Sequence, residues 1–364
     1  GLYGSDFGTY AGMTFVAPGR SYTNIVGTLG PSPDQTFSNN YFIPYASVGG
    51  NIAGDLNCVG SYTQPYGGDV SYSGALQFDT AEQRFTVNEF GLTCSYGVDA
   101  GPGRAYVIGG VFMESLNYFE SKNFNVTGSP IVGQGAGAST LSLTDEAYGF
   151  RLGAAYEIPE IALRASVIYR SQTDYSATGT YSNTPFAALA VASGASVPVA
   201  TALYGANLSA GASATASLPQ SVDLNVRSGI APGWLAFGQI KWTDWSVLQQ
   251  IQVVEGLAGQ PFSSSNFFFE DGWTVSGGLA HQFSDMVAGS AALTWDKGVS
   301  TGWDTLSDTW TVSGGVRLTK EKLAMNLGGG LIYFTEAAKT NGSYTASSPG
   351  EWGYALSASI TGTF

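Results

Sequence analysis

The sequence predicts an all-β fold: a closed, antiparallel transmembrane barrel of about fourteen strands with long extracellular loops and short periplasmic turns. Three observations carry this. Only 11% of the 364 residues are charged, against about 25% in a typical soluble domain. The chain is 44% hydrophobic and 13% aromatic, yet no run approaches the ~20 apolar residues of a membrane helix. Apolar residues instead alternate with Gly, Ser, Thr and Tyr, the period of a strand with unlike faces. A secreted β-sandwich or β-helix is the soluble alternative at this point.

The alternation is cleanest at the C-terminus. Tyr354, Leu356, Ala358, Ile360, Gly362 and Phe364 share one face, and Ala355, Ser357, Ser359, Thr361 and Thr363 share the other. The small, hydroxylated face suits a wet lumen, and the apolar face is bracketed by aromatic rings, as at the two interfaces of a bilayer. Upstream, Trp310 to Leu318, Leu323 to Tyr333, Tyr148 to Ile158 and Val222 to Ile230 repeat the pattern. In each, the charges fall on the polar face. A charge on the lipid face at mid-membrane costs about 2–4 kcal/mol, so this sorting favours a barrel with a polar interior.

Turn signals place strands at 7–17, 41–52, 55–70, 84–98, 104–119, 145–158, 161–181, 219–230, 234–256, 268–282, 286–296, 308–319, 323–338 and 351–364. Short connections alternate with long ones at 18–40, 120–144 and 182–218, which puts the long loops outside and both termini in the periplasm. The whole chain, 1–364, reads as a single outer-membrane barrel domain of a Gram-negative bacterium, with a short or missing plug segment before about residue 7. No basic and apolar leader is visible at Gly1 to Phe15.

Two segments interrupt the regular pattern. Gln64-Pro65-Tyr66-Gly67-Gly68-Asp69 falls inside a strand, where proline removes a ladder donor and paired glycines let the backbone bend. The loops carry an unusual apolar load: Phe119, Phe124, Ile131 and Val132 in one, and Phe186, Leu189, Val191, Val197, Val199, Leu203, Tyr204 and Leu208 in the other. Apolar patches facing water mark interaction surfaces or ligand grooves.

Arg151, Arg164, Arg170, Arg227, Lys241 and Arg317 all fall on expected lumen faces, with Glu157 and Asp223. Buried charges are normally paired, so a salt-bridged interior is preferred to an ion-selecting constriction. Cys58 and Cys94 sit at similar depth on adjacent strands with outward parity. In an oxidising periplasm they form either a cross-strand disulfide or two inert thiols. His281, the one histidine, lies beside a periplasmic turn on the outward parity. It reads as an interfacial side chain rather than a catalytic base, which must meet a nucleophile. The net charge of −13 argues against nucleic acid. No phosphate loop, nucleotide fingerprint or metal spacing is present, so neither an enzyme nor a cofactor is expected.

With these residues in place, the chain resembles the FadL/TodX family of outer-membrane transporters for hydrophobic compounds. The resemblance rests on Gln64 to Val70, on Tyr169-Arg170-Ser171 leading to a long loop, on Leu218-Pro219, and on Trp242-Thr243-Asp244-Trp245-Ser246. It runs from about Gly8 to Phe364. It implies a fourteen-stranded barrel with an N-terminal hatch, and passive transport of hydrophobic small molecules. Substrate would bind between the 120–144 and 182–218 loops, enter a barrel pocket and leave sideways where Pro65, Tyr66, Gly67 and Gly68 kink the third strand. The family's Asn-Pro-Ala hatch segment is not found here. Nor are the basic residues its fatty-acid carriers place near the top of the pocket: the comparable places hold Lys122 and the cation-free Asn266 to Phe269. That favours neutral hydrocarbons or aromatics over fatty acids. The expected surroundings are lipid and lipopolysaccharide, and the expected state is a monomer. A general porin for hydrophilic solutes is the competing reading.

Overall fold

A computed structural model describes residues 2–3, 7–27, 30–74, 76–125, 136–183, 208–255 and 261–364. Eighteen ladder segments join into one antiparallel sheet. Four of them continue a lower segment, so fourteen strands close the barrel. These are β1 Gly8–Ala17, β2 Tyr41–Ala53, β3 Leu56–Ser71, β4 Glu82–Ala100, β5 Gly103–Asn125 and β6 Ala136–Ile158. Next come β7, made of Leu163–Arg170 and Thr173–Asn183, and β8, made of Leu208–Leu218 and Ser221–Ala231. β9 comprises Trp234–Thr243 and Gln250–Glu255, and β10 comprises Pro261–Asn266 and Gly272–Ser284. β11 Val287–Asp296, β12 Thr309–Lys320, β13 Leu323–Phe334 and β14 Glu351–Thr363 complete the wall. Closure is made by β1, which pairs with β14 (Gly8↔Thr363) and β2 (Gly8↔Gly49).

The sorting of side chains follows from the solvent on each side. Phe90, Leu92 and Tyr96 on β4, or Leu323, Met325 and Leu327 on β13, lie outward and exposed to lipid. Their alternate neighbours Glu89, Thr93 and Ser95 are buried inside. Tight turns join strands at the end that also holds the chain termini. At Pro232-Gly233 the glycine takes φ +77°, a left-handed conformation that a side chain would strain.

Several expected strands run further than the alternation of apolar residues suggests. β5 continues to Asn125, β6 begins at Ala136 and the upper segment of β8 begins at Leu208, so much of the 120–144 and 182–218 loops is ladder. In these upper stretches the pattern inverts: the inward residues are apolar (Leu141, Leu143, Ala212, Ala214), and the outward ones are Ser142, Thr144, Thr178 and Ser213. The wall has risen out of the membrane, and its outer face meets water. β10 likewise starts at Pro261, with a break before Gly272, rather than at 268. β13 ends at Phe334 rather than 338. The expected 18–40 loop contains three short strands, which join Ala337–Lys339 and Tyr344–Ser348 in a small second sheet. That sheet surrounds its own core of Tyr22, Ile25, Phe37, Leu76, Tyr344 and Ala346. Here burial raises the Tyr22 phenol above its ordinary range and lowers the Lys339 ammonium, which lies 3.8 Å over the Tyr344 ring.

Candidate functional site

The site is a break in the wall between β2 and β3. Their ladder runs from Ala53↔Leu56 up to Ala46↔Tyr62 and stops. It resumes at the isolated bridge Ser38↔Val70, with Asn39 N–H donating to the Asp69 carbonyl at 3.1 Å. The register is the same below and above, since seven residues on each strand lie between the two pairs. The strands therefore part and rejoin without slipping. Sequence explains the parting. Pro44 on β2 and Pro65 on β3 both lack a ladder donor, and both fall inside the break.

On its other edge β3 remains paired, but with a bulge. Thr63 opposes Glu89 and Tyr66 opposes Val87, so Gln64 and Pro65 together oppose Asn88. A bulge inserts one residue, bends the strand and exchanges its faces. Below it the odd residues Asn57 and Thr63 are on the lumen side. Above it Tyr66 turns inward, where its hydroxyl donates to the Pro219 carbonyl at 3.3 Å. A side chain added at Gly68 would meet nothing within 4 Å, and one at Gly67 only the Phe85 carbonyl at 3.4 Å. Both positions thus have room for a first side-chain carbon.

Immediately inside it lies a network of ions. Arg170 is paired with Glu89 at 3.0 Å and with Glu114, and Arg151 is paired with Glu89. Glu114, 0% exposed, also accepts hydrogen bonds from the Thr173 and Tyr175 hydroxyls, both at 2.7 Å. The two guanidinium groups lie 4.6 and 4.4 Å from the centre of the Phe112 ring, and Arg170 also donates to the Tyr66 hydroxyl. Two arginines face two glutamates, so the cluster is neutral and heavily bonded, as buried charges require. Above it, Val87, Leu116, Leu141, Leu143, Tyr175, Tyr181 and Leu218 form an apolar core inside the extracellular extension of the wall.

The remaining residues singled out in the sequence take varied places. Arg164 bonds Glu157 at 2.6 Å near the periplasmic floor, where it also lies 4.2 Å from the Tyr3 ring. Arg227 stands opposite Arg164, and Lys241 opposite Asp223. Arg317 donates to Asn326 at 3.2 Å on the far side of the lumen, beside a cavity of about 580 Å³ that Tyr10, Tyr45, Phe237, Thr311 and Ser313 help to line. The lumen is thus filled unevenly, with ion pairs beside the break and small hydroxylated residues opposite. Cys58 and Cys94 are cross-strand partners joined as a disulfide. His281 sits between Trp234 and Phe283, ring centres 4.3 and 4.8 Å away, in an aromatic cluster on the outer face. Phe119 lies in β5 opposite Arg84 and Ser142, on the alternate face from the buried Leu116 and Glu120. The side chains of Phe124 and Leu208, and residues Ile131, Val132, Phe186, Leu189, Val191, Val197, Val199, Leu203 and Tyr204, lie outside the described residues.

Sequence reading missed Glu89, Glu114 and Asn88. The first two were within reach: each is an acid on the inward parity of its strand, and the same alternation applied to 84–98 and 104–119 would have found them. Asn88 carries no such signal, because the bulge that gives it partners is visible only in the pairing.

A closed barrel of fourteen strands with a lipid-exposed apolar outer face, a polar interior and a tall extracellular extension defines an outer-membrane β-barrel protein. Residues 10–300 match the family model described as outer membrane protein transport protein (OMPP1/FadL/TodX). The chain belongs to that family, one of transport proteins rather than enzymes. No curated protein sequence matches it. Among solved structures, a Pseudomonas aeruginosa FadL homologue superposes with a TM-score of 0.79 at 14% identity, covering 98% of this chain and 90% of the other. The CymD monoaromatic hydrocarbon channel gives 0.65 at 14% identity, over 99% and 89%. The P. putida toluene transporter TodX gives 0.65 at 13% identity, over 100% and 93%. At such identities these likenesses speak for the fold.

Proposed function

We propose that the protein carries small hydrophobic molecules passively across the outer surface of the cell and releases them sideways into the outer membrane. The observation that carries this reading is the unpaired stretch between β2 and β3, bounded by Ala46↔Tyr62 and Ser38↔Val70. A hole in the wall exposes unpaired backbone groups, a cost that a barrel avoids unless the hole is used. Capture would begin on the apolar 120–144 and 182–218 loops. Apolar surface leaving water gains about 25 cal/mol per Å², and the apolar core of the extension continues that environment towards Tyr66. The ion network would then block the axial route and turn the cargo to the break. The substrates named for TodX and CymD, toluene and monoaromatic hydrocarbons, are of the size and polarity this path suits.

The test fills the break. Gly67→Leu with Gly68→Leu adds bulk beside the break at positions where a Cβ meets no close obstacle, so the barrel should insert and fold as before. Toluene uptake by cells carrying the double variant should fall to the level of cells lacking the protein. Undiminished uptake with a folded barrel would refute the lateral route.

A further inference from the structure

The two lips of the break are chemically unlike. On the β2 side the outward residues are Phe42, Pro44 and Ala46. On the β3–β4 side, on the same outer face, three polar side chains gather. The Asn88 Oδ1 accepts from Gln64 Nε2 at 2.8 Å and from the Tyr62 hydroxyl at 2.9 Å, and Gln64 lies 3.4 Å from the Tyr62 hydroxyl. The cluster stands at the upper edge of the apolar band: Phe90 and Leu92 below Asn88 are exposed to lipid, whereas Thr86 and Arg84 above it are polar. Asn88 Nδ2 makes no hydrogen bond among the described residues, so its donors remain free at the lip. The inner face of the break is polar too, with the Tyr66 hydroxyl and Thr63 Oγ1 at its edge. A window used only by hydrocarbons gains nothing from a free donor at its lip, because a donor facing an apolar solute goes unfilled and costs free energy.

Resting on the lateral route proposed above, we infer that the break selects uncharged amphipathic molecules. These are compounds with an apolar body and one hydrogen-bond-accepting oxygen, such as an alcohol, phenol, ketone or ether. Asn88 is the specificity-determining residue, and Gln64 and Tyr62 hold its amide in place. The apolar body slides along Phe42 and Pro44 while the oxygen accepts from Asn88 Nδ2. A carboxylate is disfavoured, because Arg151 and Arg170 are already matched by Glu89 and Glu114. The position at the upper edge of the band delivers such a molecule with its oxygen towards the headgroups and its body in the acyl layer.

The experiment compares uptake of toluene and benzyl alcohol, which share a ring and differ by a hydroxyl. Cells carry the wild type, Asn88→Leu, Gln64→Leu or Asn88→Gln, with barrel folding followed by gel mobility. One neutral hydrogen bond is worth about a three- to tenfold change in rate. Asn88→Leu and Gln64→Leu should slow benzyl alcohol by about that factor and leave toluene unchanged, and Asn88→Gln should restore most of the loss. Equal effects on both compounds, or none on either, would overturn the inference. If the Gly67 and Gly68 fillings slow neither compound, the lateral route itself fails. If they block both while Asn88→Leu does not discriminate, only the selectivity falls.

Discussion

At the scale of single residues, the wall break is backed on its lumen side by a cluster of paired charges. Glu114 has no exposure and three partners, Arg170, Thr173 and Tyr175, and Arg170 in turn ties it to Glu89. Replacing it by leucine would leave Arg170 with one carboxylate for two arginines and would strand two hydroxyls. Removing one partner of a buried ion pair costs about 3–5 kcal/mol. Glu114→Leu should therefore lower the denaturant midpoint of the detergent-solubilised barrel by an amount corresponding to that loss. A midpoint equal to the wild type would mean that water reaches the cluster and solvates the orphaned groups. Gly12 makes a different contribution. A Cβ there would lie 2.6 Å from the Tyr45 ring and 2.5 Å from Ser359. The absence of a side chain lets Tyr45 lie across β1 and stack on Tyr10, ring centres 5.3 Å apart.

At the scale of elements, the interest lies in how β2 and β3 separate and rejoin in register. A strand that slips by one residue exchanges its faces. Keeping the register means that Phe42 and Val48 remain outward on β2 on either side of the break's lower edge. The break therefore has a local signature. Amides of Tyr41 to Tyr45 that point towards β3 lack an acceptor, while those of Ala46 to Ala53 are paired. Hydrogen exchange in detergent or nanodiscs should be rapid for the first group and slow for the second. Uniform protection along β2 would show the ladder to be zipped. How much of this was legible beforehand differs by element. The membrane-facing alternation around Phe364, the sorting of Arg151 and Arg170 into the lumen and the irregularity at Pro65 could all be read locally, because each depends on residues two apart. The upward extension of β5 to β8 could not be read that way. Its outward Ser and Thr and inward Leu and Ala residues invert the apolar contrast of the membrane zone, so a search for apolar outward faces passes over it. Nor could the Tyr62–Gln64–Asn88 cluster, since a bulge is a relation between strands.

At the scale of the molecule, the barrel is asymmetric about its axis, and that asymmetry separates a transporter of hydrophobic molecules from a porin. A porin needs a continuous water-filled lumen. Here the side formed by β3 to β9 is occupied by the neutral Arg–Glu network and, above it, by an apolar core of buried side chains. On the opposite side the cavity bounded by Tyr10, Tyr45 and Arg317 is lined largely by small residues, but the second sheet, with the Tyr22, Phe37 and Tyr72 rings stacked and Tyr344 edge-on to Tyr22, stands at its extracellular end. Among the described residues an ion meets an apolar core on one side and an aromatic cluster on the other, and both penalise a bare charge heavily. An uncharged apolar solute meets no such penalty in the core. Reconstituted in planar bilayers, the protein should give almost no steady current, while cells carrying it take up toluene faster than cells without it. Large, stable conductance steps from the intact protein would mean that water fills the lumen from end to end. The porin reading would then displace the lateral one, because a solute with an open axial path has no need of the gap beside Pro65.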